Sequence, residues 1–173
     1  AVGASETIPP IKGIDKKLVI SATHALEIED QLKGNIIILG GGTVGAEIAL
    51  EQSLIHKNNV SIIELGDELA TQGNMLYKIG LRQTMEKCES LTTYLNTQCT
   101  EVKDNSVIIK NEAGIIKEIP ADKVIVCTGM KSLNILAESF YGITPNVTMI
   151  GDCVKPRKIM EAVFEGHSIA LNL

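Results

Sequence analysis

Tryptophan is absent from this chain, and aromatic residues of all kinds make up only 3% of it. Cysteine is sparse as well: Cys88, Cys99, Cys127 and Cys153 are scattered through 173 residues, and no C-x-x-C pair occurs. That spacing excludes a redox dithiol and a zinc ribbon, and it fits buried thiols in a reducing cytoplasm. His24, His56 and His167 are equally dispersed and suggest neither a ligand set nor a catalytic base. No cluster of Lys or Arg accompanies the few aromatics, and the net charge is −5. Nucleic acid is therefore not an expected partner. Apolar runs are no longer than a strand, so no membrane-spanning helix is expected. The opening Ala1-Val2-Gly3-Ala4-Ser5 has neither the basic segment nor the long apolar segment of a secretory leader. Internal repeats and low-complexity segments are lacking too.

What is present is an ordinary globular composition, 45% hydrophobic and 21% charged, in a length that allows one core or one domain with part of another. Within it, Asn35 to Glu47 reads N-I-I-I-L-G-G-G-T-V-G-A-E. An apolar strand runs straight into glycines and then into helix-forming residues. Gly40 permits the tight turn, Gly42 lets the backbone approach a pyrophosphate, and Gly45 lets the helix pack close to the strand. The helix N-terminus then presents bare N–H groups and the positive end of its dipole. A glycine triplet alone is a weak signal; the flanking strand and helix supply the context it needs.

The second half of that pattern follows. Asn58-Asn59 is a turn signal, and Val60 to Ile63 is a short strand ending at Glu64. That acid stands about 20 residues after the last glycine, where a ribose-binding carboxylate belongs. Leu65, Gly66, Asp67 and Glu68 come next, with no Lys or Arg among them to receive a 2′-phosphate. NAD(H) is thus expected over NADP(H).

Elsewhere the pattern predicts a strand over Leu18–Ser21, a short helix over His24–Gln31, and a largely buried helix over Val44–Lys57. Glu47 falls in the first turn of the latter, and Glu51 one turn later is read as part of a solvated edge. A helix over Asn74–Glu89 and a strand over Leu91–Leu95 complete a β-α-β-α-β unit. Cys99–Lys103, Ser106–Lys110 and Ile115–Ile119 alternate like an antiparallel meander. Lys123–Cys127 rejoins the main sheet and ends at Thr128-Gly129. Val147–Ile150 is a further strand ending at Gly151-Asp152, and Arg157–Leu171 a last helix. The fold class is α/β, Rossmann-like, with a parallel sheet and a three-stranded antiparallel crossover.

Taken together, these motifs resemble the pyridine nucleotide–disulfide oxidoreductases, two-dinucleotide flavoproteins. The closing run from Gly151-Asp152-Cys153 to Met160-Glu161-Ala162 resembles the enoate and dienoyl-CoA reductases related to Old Yellow Enzyme. That resemblance covers nearly the whole chain and implies a C-terminal fragment. In the complete enzymes FMN and an iron–sulfur cluster lie in N-terminal domains, and an FAD domain is interrupted by an NAD domain. It implies residues 1–33 as an FAD-domain remnant and linker, 34–128 as the NAD(H)-binding domain and 129–173 as the C-terminal FAD-domain remnant. Gly40, Gly41, Gly42, Thr43, Val44 and Gly45 would line the pyrophosphate. Glu64 would hold the ribose, Glu47 would lie near the nicotinamide carboxamide, and Thr128-Gly129 would approach the nicotinamide side. Asp152 would contact the ribityl chain of FAD. After Gly129 the run Met130-Lys131-Ser132 departs from the family's usual loop. The implied activity is hydride delivery from NADH to FAD, with little turnover by the fragment alone. Two alternatives remain: an ADP-binding structural domain, as in the trimethylamine dehydrogenase branch, and a methyltransferase binding S-adenosylmethionine. The meander speaks against the latter.

Overall fold

Ile36, Ile37, Ile38 and Leu39 are all buried, and a strand apolar on both faces needs a covering layer on each side. In the structure, a computed structural model describing residues 1–172, both layers are present. The chain divides into two compact units, Ile8–Thr128 and a smaller one joining Ala1–Thr7 to the segment from Gly129 onward.

The smaller unit supplies the first strand, β1 (Ala4–Glu6). The larger then runs through β2 (Val19–Ser21), α1 (Ala22–Glu27) and a 3-10 turn at Glu29–Gln31. Next come β3 (Asn35–Leu39), α2 (Thr43–Leu54), β4 (Asn59–Ile63), α3 (Met75–Glu86) and β5 (Leu91–Tyr94). A meander of β6 (Thr97–Val102), β7 (Ser106–Asn111) and β8 (Ile116–Pro120) leads to β9 (Lys123–Val126). β2, β9, β3, β4 and β5 pair in that order, all in parallel, and the meander is a separate antiparallel sheet.

Alternation along β3 assigns its two faces. Ile36 and Ile38 pack with Ala46, Ala49 and Leu50 of α2, while Ile37 and Leu39 pack with Val102, Val107 and Ile109 of the meander. One side of the sheet is therefore helical and the other is β, a three-layer sandwich about the strand that precedes the glycines. Asn58 fastens the far end of α2: its Nδ2 donates to the Leu32 carbonyl at 2.9 Å and to Gln52 Oε1 at 2.8 Å. Its Oδ1 accepts from the Gly34 N–H at 3.0 Å. Gln52, Ser53 and Asn58 are thus buried polar groups with partners, which periodicity of apolar residues does not reveal.

Several expectations shift. The larger unit begins at Ile8, because β2 pairs with β9 and Leu18 enters the meander-side core. The short helix over His24–Gln31 is instead α1 followed by the 3-10 turn. On α2, Val44 and Leu54 are exposed, as is Ile55 just past its end, while buried positions run from Gly45 to Ser53. Helix α3 lies beside the edge strand β5, and only Leu81 and Met85 are covered while Leu76 is exposed.

In the smaller unit, β1 pairs antiparallel with β10 (Met130–Ser132), the stretch whose sequence departs from the family pattern. Helices α4 (Asn134–Glu138) and α5 (Ile159–Ala170) follow. Val147–Ile150 forms no strand: no ladder among the described residues includes it, and the two-stranded sheet of this unit is β1 with β10. Helix α5 has no buried residue, and Ile159, Met160, Val163 and Phe164 are all exposed on it. No helix among the described residues is long and apolar enough to cross a membrane.

Cys99 lies in the core beneath the meander, and burial pushes its thiol up to about 11. At pH 8 only about one Cys99 in a thousand is then a thiolate, the form that alkylates. Brief iodoacetamide treatment of the folded chain at pH 8 is expected to leave Cys99 unmodified in peptide mass spectra, and to modify it after unfolding in urea.

Candidate functional site

Parallel pairing brings the C-terminal ends of β3, β4 and β9 to one edge of the sheet, where open α/β sheets bind ligands. The turn leaving β3 crosses that edge. Gly40 adopts φ +101°, and its N–H donates to the Ile63 carbonyl at 2.9 Å. A Cβ on Gly40 would drive into the Cys127 carbonyl and lie 3.3 Å from the Thr128 nitrogen. Gly45 packs equally close, its missing Cβ leaving room for the Gly40 carbonyl and, at 3.2 Å, for Cys127 Cβ. Gly42 is different. It caps the start of α2 without any side-chain hydrogen bond to that end, and a Cβ placed there meets nothing within 4 Å. The first amides of α2 therefore face open space at the positive end of the helix dipole.

Glu64, just past β4, turns toward this loop. Its Oε2 accepts from the Gly41 N–H at 2.5 Å and its Oε1 from the Gly66 N–H at 2.7 Å. A carboxylate offers roughly four acceptor positions, so about two remain for other donors. The segment after Glu64 closes over the outer side of the turn: Ala70 N–H donates to the Gly41 carbonyl at 2.8 Å, and Leu69 packs on Gly41. Thr43 Oγ1 donates to the Gln72 carbonyl at 3.1 Å, so this residue offers an incoming anion its main chain, not its hydroxyl. Val44 stands half exposed at the helix start.

Glu47 lies beyond the first turn of α2, not within it as expected. Its carboxylate accepts a hydrogen bond from the Tyr77 hydroxyl, across 30 residues of chain. That hydrogen bond raises the Tyr77 phenol above its ordinary range, because ionisation would set a phenolate against a carboxylate. Tyr77 carries no sequence signal linking it to the glycine loop; only the packing of α3 beside α2 brings it there.

Two basic residues also reach this end of the sheet, although neither follows Glu64 directly. Lys78 Nζ donates to the Thr71 carbonyl at 3.0 Å. Arg82 Nε donates to the Leu69 carbonyl at 2.8 Å while Nη1 pairs with Glu68. Both contact the loop, and Arg82 Nη2 is left buried without a partner among the described residues. Arg82 also lines a cavity of about 410 Å³ whose walls include Asp67, Glu68 and Glu86. An acidic wall of this kind disfavours an added phosphate.

Thus Gly40, Gly41, Gly42, Thr43, Val44, Gly45, Glu64 and the main chain of Thr128 gather at one edge. Gly129 and Asp152 belong to the smaller unit. There the Thr7 N–H donates to the Gly129 carbonyl at 2.9 Å, and Asp152, the exposed residue of the 3-10 turn Gly151–Cys153, accepts through Oδ1 from the Arg157 N–H at 3.3 Å. Beside it, Glu165 accepts from the Gly151 N–H at 2.7 Å and pairs with Arg157. These two contacts, the amide first, hold its carboxyl below the usual range.

Known proteins resemble this chain along its length. The pyridine nucleotide-disulphide oxidoreductase family profile matches residues 1–166. The "metal reductase" of Desulforamulus reducens is 30% identical over 203 residues, covering 99% of this chain and 30% of that protein. The cinnamate reductase of Clostridium sporogenes is 28% identical over 175 residues, covering 100% of this chain and 26% of that protein. Among solved structures, a 2-naphthoyl-CoA reductase complex superposes with a TM-score of 0.89 at 29% identity, over 100% of this chain and 26% of the other. The chain therefore spans less than a third of the length of each of these relatives.

Proposed function

This chain belongs to the pyridine nucleotide-disulphide oxidoreductase family, and from that premise we propose that it is the NADH-binding portion of a larger flavin-dependent reductase. In that protein it takes hydride from NADH to FAD, and an enoate- or enoyl-type substrate is reduced in domains outside this chain. The relatives named for cinnamate and 2-naphthoyl-CoA reduction support that substrate class, as does the Old Yellow Enzyme-like closing run from Gly151. FMN and an iron–sulfur cluster belong, on this reading, to the same outer domains. A cytoplasmic setting follows from the same reading.

The observation that carries the proposal is the pairing of an uncapped helix start at Gly42 with a Glu64 carboxylate that still has acceptor capacity. A dinucleotide fits this set: its pyrophosphate meets the amides of Gly42, Thr43 and Val44, and a ribose hydroxyl pair meets Glu64. Once bound, NADH supplies the hydride and FAD accepts it, so the chain needs to orient rather than to move protons. Glu47 orients the nicotinamide end after its Tyr77 hydrogen bond yields. Asp152, exposed in its turn, makes no FAD site alone; FAD is held together with residues outside this chain. The exposed apolar side chains of α5 support that view, since a contiguous patch of that kind ordinarily faces a partner domain.

The Tyr77–Glu47 hydrogen bond favours a second reading. If Glu47 stays with Tyr77, the site holds only the ADP half, and the domain is structural. Calorimetry with ADP, NADH and NADPH separates the two. The hydride-donor reading expects NADH to bind at least tenfold more tightly than ADP, with NADPH weakest. Equal affinities for NADH and ADP would leave only the structural reading.

A further inference from the structure

At the opposite end of α2 from the glycine loop, roughly 18 Å along a helix of twelve residues, three metal-ligating side chains converge. Glu29 comes from the 3-10 turn, Glu51 from the last turn of α2, and His56 from the chain just beyond it. One ligand atom of each lies within 4.8 Å of the other two. Ligands of a tetrahedral ion with bonds near 2.0–2.2 Å stand roughly 3.4 Å apart, so rotamer adjustments of the two glutamates close the set.

Two further observations separate this cluster from an ordinary solvated acidic edge. The His56 side chain is only 9% exposed, and its Nδ1 stands 3.6 Å from the carboxylate of Asp30, so a third acid borders the ring. In addition, no side-chain hydrogen bond or ion pair among the described residues reaches either glutamate carboxylate, although two acids face one another there. The negative end of the α2 dipole adds to the same field, and the Glu51 carbonyl already receives the N–H groups of Ile55 and His56. Two carboxylates, a helix C-terminus and an imidazole gathered this closely form a donor set suited to a cation.

We propose that Glu29, Glu51 and His56 bind a divalent transition-metal ion, with zinc the strongest ligand match, and that Asp30 completes its surroundings. One nitrogen and carboxylate oxygens suit zinc or manganese better than magnesium, which prefers oxygen alone. The ion ties the 3-10 turn to the end of α2. It sits apart from the glycine loop and supplies no step of hydride transfer.

Titrating the metal-free chain with ZnCl₂ in a calorimeter is expected to give one zinc per chain, and a raised thermal midpoint. Magnesium at the same concentration should give neither. Glu29→Gln, on a partly exposed turn, and His56→Ala should each weaken zinc binding at least tenfold and remove the thermal shift, while ADP binding at the glycine loop is unchanged. Cobalt(II) should bind without the sulfur charge-transfer band of a thiolate site. If zinc fails to bind, binds equally in Glu29→Gln, or brings a cobalt–thiolate band, the proposal is wrong.

Discussion

Gly40→Ala is expected to destabilise the chain by about 2–6 kcal/mol, read as a lowered urea midpoint. Two costs add. At φ +101° an L-residue is strained whatever surrounds it, by roughly 1–3 kcal/mol. The new methyl also strikes the Cys127 carbonyl, which is main chain and bonded through its own N–H to Leu39 at 2.7 Å, so it cannot swing aside. Overpacking of that kind adds about 1–3 kcal/mol. Gly42→Ala supplies the contrast. Its methyl meets nothing, and exchanging glycine for alanine at a helix N-cap costs only about 1 kcal/mol or less. Yet that methyl occupies the space where a pyrophosphate would lie. Dinucleotide affinity should therefore drop at least tenfold in Gly42→Ala while the urea midpoint barely moves. Were Gly40→Ala as stable as the parent, the turn would not be the tight one described; were Gly42→Ala to bind NADH normally, the ligand would sit elsewhere.

The contrast between these glycines shows which parts of the molecule sequence alone discloses. Gly40 and Gly45 are legible because their demands are local: a strand, a turn and a helix occupy consecutive residues, and each glycine answers a contact within that unit or directly beneath it. The parallel sheet was legible for the same reason, since β-branched runs alternate with helical ones. Tyr77 was not, because its bond to Glu47 depends on how α3 settles beside α2. Lys78 and Arg82 escaped notice likewise: a search for basic residues directly after Glu64 cannot see a helix turning back on its own loop. His56 is the sharpest case. Dispersed histidines carry no spacing signal, yet the end of α2 brings this one to Glu29 and Glu51. The strand expected over Val147–Ile150 is absent: a short apolar run makes a strand only when its backbone pairs, and this one joins no ladder among the described residues.

Glu64→Arg is expected to weaken NADH binding by about 1–3 kcal/mol, or roughly 5- to 150-fold, because a charged acceptor for the ribose is lost. Its structural part is separable. In the free chain Glu64 already serves the Gly41 and Gly66 amides, so its removal also leaves two loop N–H groups without their acceptor. Glu64→Gln keeps the shape and one acceptor oxygen, and it should bind NADH at an intermediate strength. If disorder of the loop were the whole effect, ADP and NADH would fall together with the urea midpoint in both variants. If ribose recognition is the main term, Glu64→Gln should lose affinity with its midpoint nearly unchanged. An arginine at this position does not by itself convert the site to NADPH, because Asp67 and Glu68 remain beside it and Arg82 stays engaged with Glu68. NADPH affinity is therefore expected to rise less than NADH affinity falls. Should Glu64→Arg bind NADH as well as the parent chain does, this carboxylate has no part in the site and the dinucleotide reading loses one of its two anchors.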